Sequence, residues 1–166
     1  MHYNYNQVEE LWLKVVSIPT KGGDEMLVGE FQHNIDTKGR VIMPAKFRDE
    51  LGEKFVITKG LDKCLFVFSQ EEWEKLDSKL SEQSLSKGRK IQRFFYGGMT
   101  ECELDKQGRI LIPQSLREYA GVLKDVVFVG LAKRAEIWNK EEWEKQNTEF
   151  IEDSDEVALQ MEELGI

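Results

Sequence analysis

The sequence predicts an α+β protein made of two tandem β-β-α-β-β-α units, and three observations carry that reading. The stretch Asp36-Thr37-Lys38-Gly39-Arg40-Val41-Ile42-Met43-Pro44 returns 69 positions later as Asp105-Lys106-Gln107-Gly108-Arg109-Ile110-Leu111-Ile112-Pro113. Beyond the proline, Phe47, Arg48, Leu51 and Gly52 answer Leu116, Arg117, Ala120 and Gly121. The offset then becomes 70, and Glu71-Glu72-Trp73-Glu74-Lys75 recurs unchanged as Glu141-Glu142-Trp143-Glu144-Lys145. A repeat of this length fixes the architecture ahead of any local propensity.

Each element follows from its residues. Residues 27–35 read as a strand that ends in a tight turn, where Asp36 bonds nearby backbone N–H groups and Gly39 supplies positive φ; Asp105 and Gly108 do the same in the second copy. The turn is expected to close a hairpin with a returning strand at 40–43. Pro44 suits the first turn of a helix that buries Phe47 and Leu51 at i, i+4 and stops at Gly52. Strands are expected at 55–58 and 64–68, joined around Gly60. Ser69 with Glu72, and Asn139 with Glu142, have the spacing of helix N-caps, and Trp73, Leu76 and Leu80 form the apolar side of the first of these helices. The recurrent pairs Trp73/Trp143 and Phe68/Trp138 read as core rather than as stacking platforms for bases.

The chain divides into residues 1–25 outside the repeat, a first unit at 26–80, a basic linker at 81–93, a second unit at 94–150 and an acidic tail at 151–166. The codons that Lys21-Gly22-Gly23-Asp24-Glu25-Met26 permits include a purine-rich ribosome-binding sequence ahead of a start codon. Met26 is therefore read as the initiator, with a genuine extension as the alternative. The linker carries Lys87, Arg89, Lys90 and Arg93 against Glu82, a run that reads as a solvated face or a nucleic-acid contact. Val157, Leu159, Met161 and Leu164 give the tail a partly amphipathic pattern.

Net charge is −8, yet residues 26–150 are neutral and residues 151–166 alone carry −6, so a local basic face is compatible with the composition. Apolar runs are far shorter than the roughly 20 residues of a membrane span. Cys64 and Cys102 show neither metal-ligand spacing nor a disulfide framework, which fits a reducing cytoplasm. There is no phosphate-cradling glycine loop, and His2 and His33 are the only histidines, so the residues point to no enzyme and no cofactor.

For Arg40 and Arg109 two roles stand open on the residues alone. Each can tie its turn by an ion pair with Asp36 or Asp105, or reach phosphate oxygens and the O6/N7 edge of guanine, with Lys38, Lys46 and Arg48 near Arg40 in sequence to add phosphate contacts. The second copy has Gln107 where the first has Lys38, and Ser115 or Gln114 where the first has Lys46, so its face is expected to be less basic and Arg109 the more structural of the two.

The doubled Asp-x-x-Gly-Arg motif with its apolar strand and proline, the start Met26-Leu27-Val28-Gly29-Glu30-Phe31 and the repeated Glu-Glu-Trp-Glu-Lys helix resemble the MraZ family of bacterial transcriptional regulators, over residues 26 to about 150. The resemblance implies that each half is similar to an AbrB-type swapped-hairpin domain, the two forming an intrachain pseudo-dimeric barrel. It further implies a homo-oligomeric ring that binds repeated double-stranded promoter sites ahead of a division and cell-wall gene cluster, in the cytoplasm and at the nucleoid. Arg40 matches the family's DNA-contacting arginine and Arg109 is its counterpart in the second repeat. The competing reading is an oligomeric protein-interaction scaffold of the same fold with weak DNA contact. A DNA reader requires basic side chains gathered on one face, and a scaffold does not.

Overall fold

The computed structural model describes residues 26–166, and the readings made for residues 1–25 lie outside them. Strand β1 (Leu27–Asn34) runs into the Asp36 turn and β2 (Arg40–Ile42) leaves it. Pro44, with φ −50°, is the N-cap of α1 (Ala45–Leu51), which buries Phe47 and Leu51 and ends at Gly52 with φ +75°. β3 (Lys54–Lys59) and β4 (Leu65–Ser69) pair antiparallel. The Ser69 hydroxyl then accepts the Glu72 N–H to open α2 (Gln70–Ser81). The basic linker is helical: α3 (Leu85–Gly98) is capped by Ser84 and runs past residue 93 to the start of β5 (Thr100–Glu103). The order then repeats as β6 (Arg109–Leu111), α4 (Gln114–Ala120), β7 (Asp125–Ala132), β8 (Ala135–Asn139) and α5 (Lys140–Glu152). The acidic tail forms α6 (Ser154–Leu164), joined to α5 through Asp153 alone.

The expected hairpins need correction. The Asp36 turn reverses the chain, but β1 and β2 do not pair with each other. β1 pairs along its whole length with β7 of the second half, from Leu27 opposite Ala132 to Asn34 opposite Asp125. β5 returns the exchange by pairing with β3 of the first half, and β2 pairs with β6. A period-two apolar pattern tells which face of a strand is buried, not which strand lies beside it. The six-stranded sheet has the order β1-β7-β8-β4-β3-β5 and is open, with β1 and β5 as its edges rather than a closed barrel seam.

Alternation along the sheet supplies two cores. Phe55, Ile57, Val67, Phe128 and Ile137 point to one face, where Val41 and Ile110 of the β2/β6 ribbon and Phe47 and Leu116 of α1 and α4 cover them. Val56, Phe66, Val127 and Trp138 point to the other, against Trp73 and Leu80 of α2 and Phe95 of α3. Thr58 also lies on this side and donates its hydroxyl to the Phe95 carbonyl at 2.7 Å. Trp73 and Trp138 are therefore core, and Phe68 and Trp143 pack against them. Cys64 and Cys102 are buried in different clusters. Burial pushes both thiols up, that of Cys102 to about 12, so neither is a thiolate near neutral pH.

Because β1 finds its sheet partner in the other half, neither half closes its own core. A fragment of residues 26–80 is expected to be unfolded, or to pair with a second copy of itself through the vacated β7 position. Circular dichroism and sedimentation check this; a cooperative monomeric melt would contradict it.

Candidate nucleic-acid interface

The two motif turns are built alike. One Asp36 carboxylate oxygen accepts the N–H groups of Lys38 and Arg40 at 2.9 and 2.8 Å, and the other accepts Nε of Arg40 at 2.8 Å. Asp105 accepts the N–H groups of Gln107 and Arg109 at 2.8 and 2.9 Å and Arg109 Nε at 2.8 Å. Gly39 and Gly108 close the turns at φ +85° and +74°, each donating its N–H to the carbonyl of the turn's aspartate. Both ion pairs therefore exist, and both use Nε. Among the described residues Nη1 and Nη2 of neither arginine has a hydrogen-bond partner, so each planar edge is held in a fixed orientation and left open. The pair orients the arginine without occupying the edge that would read a base.

The turns are joined by the β2/β6 ribbon, whose register sets Arg40 opposite Leu111, Val41 opposite Ile110 and Ile42 opposite Arg109. Val41 and Ile110 point into the core, so Arg40, Ile42, Arg109 and Leu111 share the outer face. Ile42 and Leu111 are 44% and 57% exposed there, so the outer face of the ribbon carries two apolar side chains between its two arginines. Two further bonds, Met43 N–H to the Gly108 carbonyl at 3.0 Å and Ile112 N–H to the Gly39 carbonyl at 2.9 Å, tie each turn to the opposite repeat.

This crossing relocates Arg48. Its Nε donates to the Met43 carbonyl at 2.9 Å, and its guanidinium lies against Gly108, where a Cβ would stand 2.4 Å from Cζ. Arg48 thus borders the second turn, not the Arg40 turn suggested by sequence. Its counterpart Arg117, which sequence reasoning matched to Arg48 but gave no role, donates Nε to the Ile112 carbonyl at 3.0 Å and lies against Gly39. The signal was present in the repeat, since an arginine packed on the partner's turn must recur if the halves exchange strands. Arg48 also reaches β1: burial, and next its charge, pull the His33 imidazole below its ordinary value.

The structure distributes the expected basic residues accordingly. Lys38, Arg40 and Arg117 surround the first turn; Lys106, Arg109 and Arg48 surround the second. Lys46 is exposed in the first turn of α1, just after Met43, and so lies toward the Gly108 end of the ribbon. The expectation that the second turn is less basic is corrected on the same ground. Gln107 replaces Lys38, but Lys106 follows Asp105, so each turn itself carries one lysine and its motif arginine beside one aspartate, and Lys46 lies toward the second turn. Nothing in the ion-pair geometry separates Arg109 from Arg40.

Asp36 and Asp105 are both held below the usual carboxylate range, first by the N–H of Arg40 or Arg109 and then by that residue's guanidinium and the N–H of Lys38 or Gln107. A carboxylate whose folded value is lowered gives stability that is present above its unfolded value and lost as pH falls through the folded one. Wild type is thus expected to lose stability below the ordinary carboxylate range, and Asp36→Asn/Asp105→Asn to be less stable at neutral pH with a shallower acid slope. Chemical melts from pH 7 to pH 2 check this. Parallel slopes for the two proteins would show that the turns contribute nothing to acid sensitivity.

Comparison with known proteins agrees with the doubled architecture. The family model described as MraZ protein matches twice, at residues 26–93 and 95–161. A transcriptional regulator MraZ from Thermoanaerobacter sp. (strain X514) is 54% identical over 143 residues, covering 85% of this chain and all of the relative. Those of Caldicellulosiruptor bescii and Alkaliphilus oremlandii are 52% and 51% identical over the same coverage. Two tandem matches and relatives spanned from end to end place residues 26–161 within one family: the chain belongs to the MraZ family of transcriptional regulators.

Proposed function

We propose that the chain is a sequence-specific DNA-binding regulator that reads repeated sites with the outer face of the β2/β6 ribbon. A major groove about 12 Å wide admits a two-stranded ribbon. Arg40 and Arg109 stand diagonally across it, roughly 7–8 Å apart, close to the rise of two base-pair steps. Their open Nη edges suit guanine O6 and N7, and Ile42 and Leu111 between them suit thymine methyl groups. Lys38, Lys46 and Lys106 are exposed to meet phosphates, while Arg48 and Arg117 brace the turns. The observation that carries this reading is the preorganised arginine pair, aimed by Asp36 and Asp105 yet unpaired at the base-reading edge.

In this reading residues 26–80 and 94–150 are two halves related as an AbrB-type swapped hairpin within one chain, supported by the β1–β7 and β3–β5 exchange. Several chains assemble into a ring, so that copies engage successive sites upstream of the protein's own gene and its division and cell-wall cluster, in the cytoplasm at the nucleoid. Among the described residues no helix is long and apolar enough to cross a membrane.

A gel shift of the full chain on the DNA upstream of its own gene tests the proposal. A shift that resists nonspecific competitor is expected, with log affinity falling linearly in log salt. Lys38→Ala should make that slope shallower by about one unit per protomer engaged. No shift from a folded, assembled protein would favour the scaffold reading.

A further inference from the structure

Two surfaces are left without partners by this fold, and they are opposite in charge. Helix α3 buries Gly88 and Phe95 against the sheet and α2, and turns Lys87, Arg89, Lys90 and Arg93 outward. Leu85, Ser86, Arg89 and Arg93 line a shallow hollow, in which Leu85 is 81% exposed. Among the described residues none of these four cations has an ion-pair partner.

The second surface is α6. It buries no residue, and its principal contacts are with α5. Val157, Met161 and Leu164 fall at i, i+4, i+7 and form one stripe, with Val157 and Leu164 exposed. Glu156 and Glu163 flank the stripe on one side, while Asp155 and Glu162 fall toward the opposite face of the helix. A stripe this apolar on a helix packed against so little is a surface awaiting a partner.

We propose that α6 of one copy docks along the outer face of α3 of a second copy, with its apolar stripe on the Leu85 hollow and its glutamates on Arg89 and Arg93. The lengths permit it: the 11 residues of α6 make about 16 Å of helix, which fits within the roughly 21 Å of the 14-residue α3. The charges are complementary, and α6 and α3 share no principal contact within the chain, since α5 holds one and β3 with α2 the other. Donor and acceptor are different surfaces of the same molecule, so the contact is head to tail, the type that closes into a ring when its rotation permits. The inference rests on the oligomeric reading above and names its joint.

Sedimentation of the full chain tests it with two variants, Arg89→Glu/Arg93→Glu and Glu156→Lys/Glu163→Lys. All four residues are exposed, so both variants should melt as wild type does. Wild type is expected above the 19.3 kDa of one chain. Each variant alone should assemble at least tenfold more weakly, and an equimolar mixture should recover assembly, because each tail then meets a face of opposite charge. Raising salt toward 1 M should weaken the wild-type contact. If wild type sediments as a single chain, the oligomeric reading fails and the docking with it. If wild type assembles and both variants do so equally well, oligomerisation stands and this joint is wrong. The joint is equally wrong if reversing Arg89 and Arg93 weakens DNA binding while leaving the mass unchanged, which would give the α3 face to nucleic acid.

Discussion

Valine at both Gly39 and Gly108 is expected to unfold the protein at temperatures where wild type is stable. A β-branched residue at φ +85° or +74° costs about 1–2 kcal/mol from the backbone alone. Its Cβ would also enter the guanidinium of the opposite repeat, at 2.7 Å from Arg117 Nε or 2.4 Å from Arg48 Cζ. Those groups are fixed by bonds to the Ile112 and Met43 carbonyls, and displacing a charged donor forfeits about 1.5–3 kcal/mol. Each substitution then costs about 2.5–5 kcal/mol, and the two together cost about 5–10 kcal/mol, comparable to the roughly 5–15 kcal/mol that holds a typical domain folded. Gly121, at φ +62° with open space around a Cβ, is the control. Gly121→Ala should cost the backbone term only, and Gly39→Ala more. Thermal melts in which both alanine variants shift equally would show that the guanidinium contacts carry no weight.

The same contacts show what the sequence could and could not reveal. Local signals were legible because they are backbone chemistry: Asp36, Asp105, Ser69 and Asn139 stand where their side chains bond nearby backbone N–H groups, and Pro44 stands before α1 where its fixed φ fits. Strand partners were not legible. The apolar alternation of β1 is satisfied equally by β2 or by β7, and only the assembled core decides between them. For the site, the pairing of each turn Asp with its Arg was readable from spacing. The crossing of Arg48 to Gly108 was not, because it depends on the strand exchange. The lysine of the second turn was readable too, but the position-by-position comparison of Lys38 with Gln107 and of Lys46 with its second-repeat counterpart passed over Lys106, one position away.

The second large effect concerns binding. Arg40→Ala is expected to weaken specific DNA binding by roughly 10- to 100-fold per site, since a bidentate guanine contact is worth about 1–3 kcal/mol of discrimination. Several copies engaged on repeated sites would multiply the loss. Arg40→Lys should rescue little, because an ammonium cannot present two donors in one plane. The fold should persist, because Asp36 keeps its bonds to the backbone at residue 38 and at residue 40. Arg109→Ala should behave as Arg40→Ala does, given the matched geometry. Normal binding with early melting in both variants would confine these arginines to the turns.

Chemical protection of guanine N7 on the upstream DNA tests the ribbon reading most directly, because N7 lies on the major-groove edge that Arg40 and Arg109 would contact in that reading. Wild type should protect guanines within each repeated site, and Arg40→Ala/Arg109→Ala, at a concentration that restores occupancy, should leave those guanines reactive. Unchanged protection by the double variant would contradict base reading by the β2/β6 ribbon.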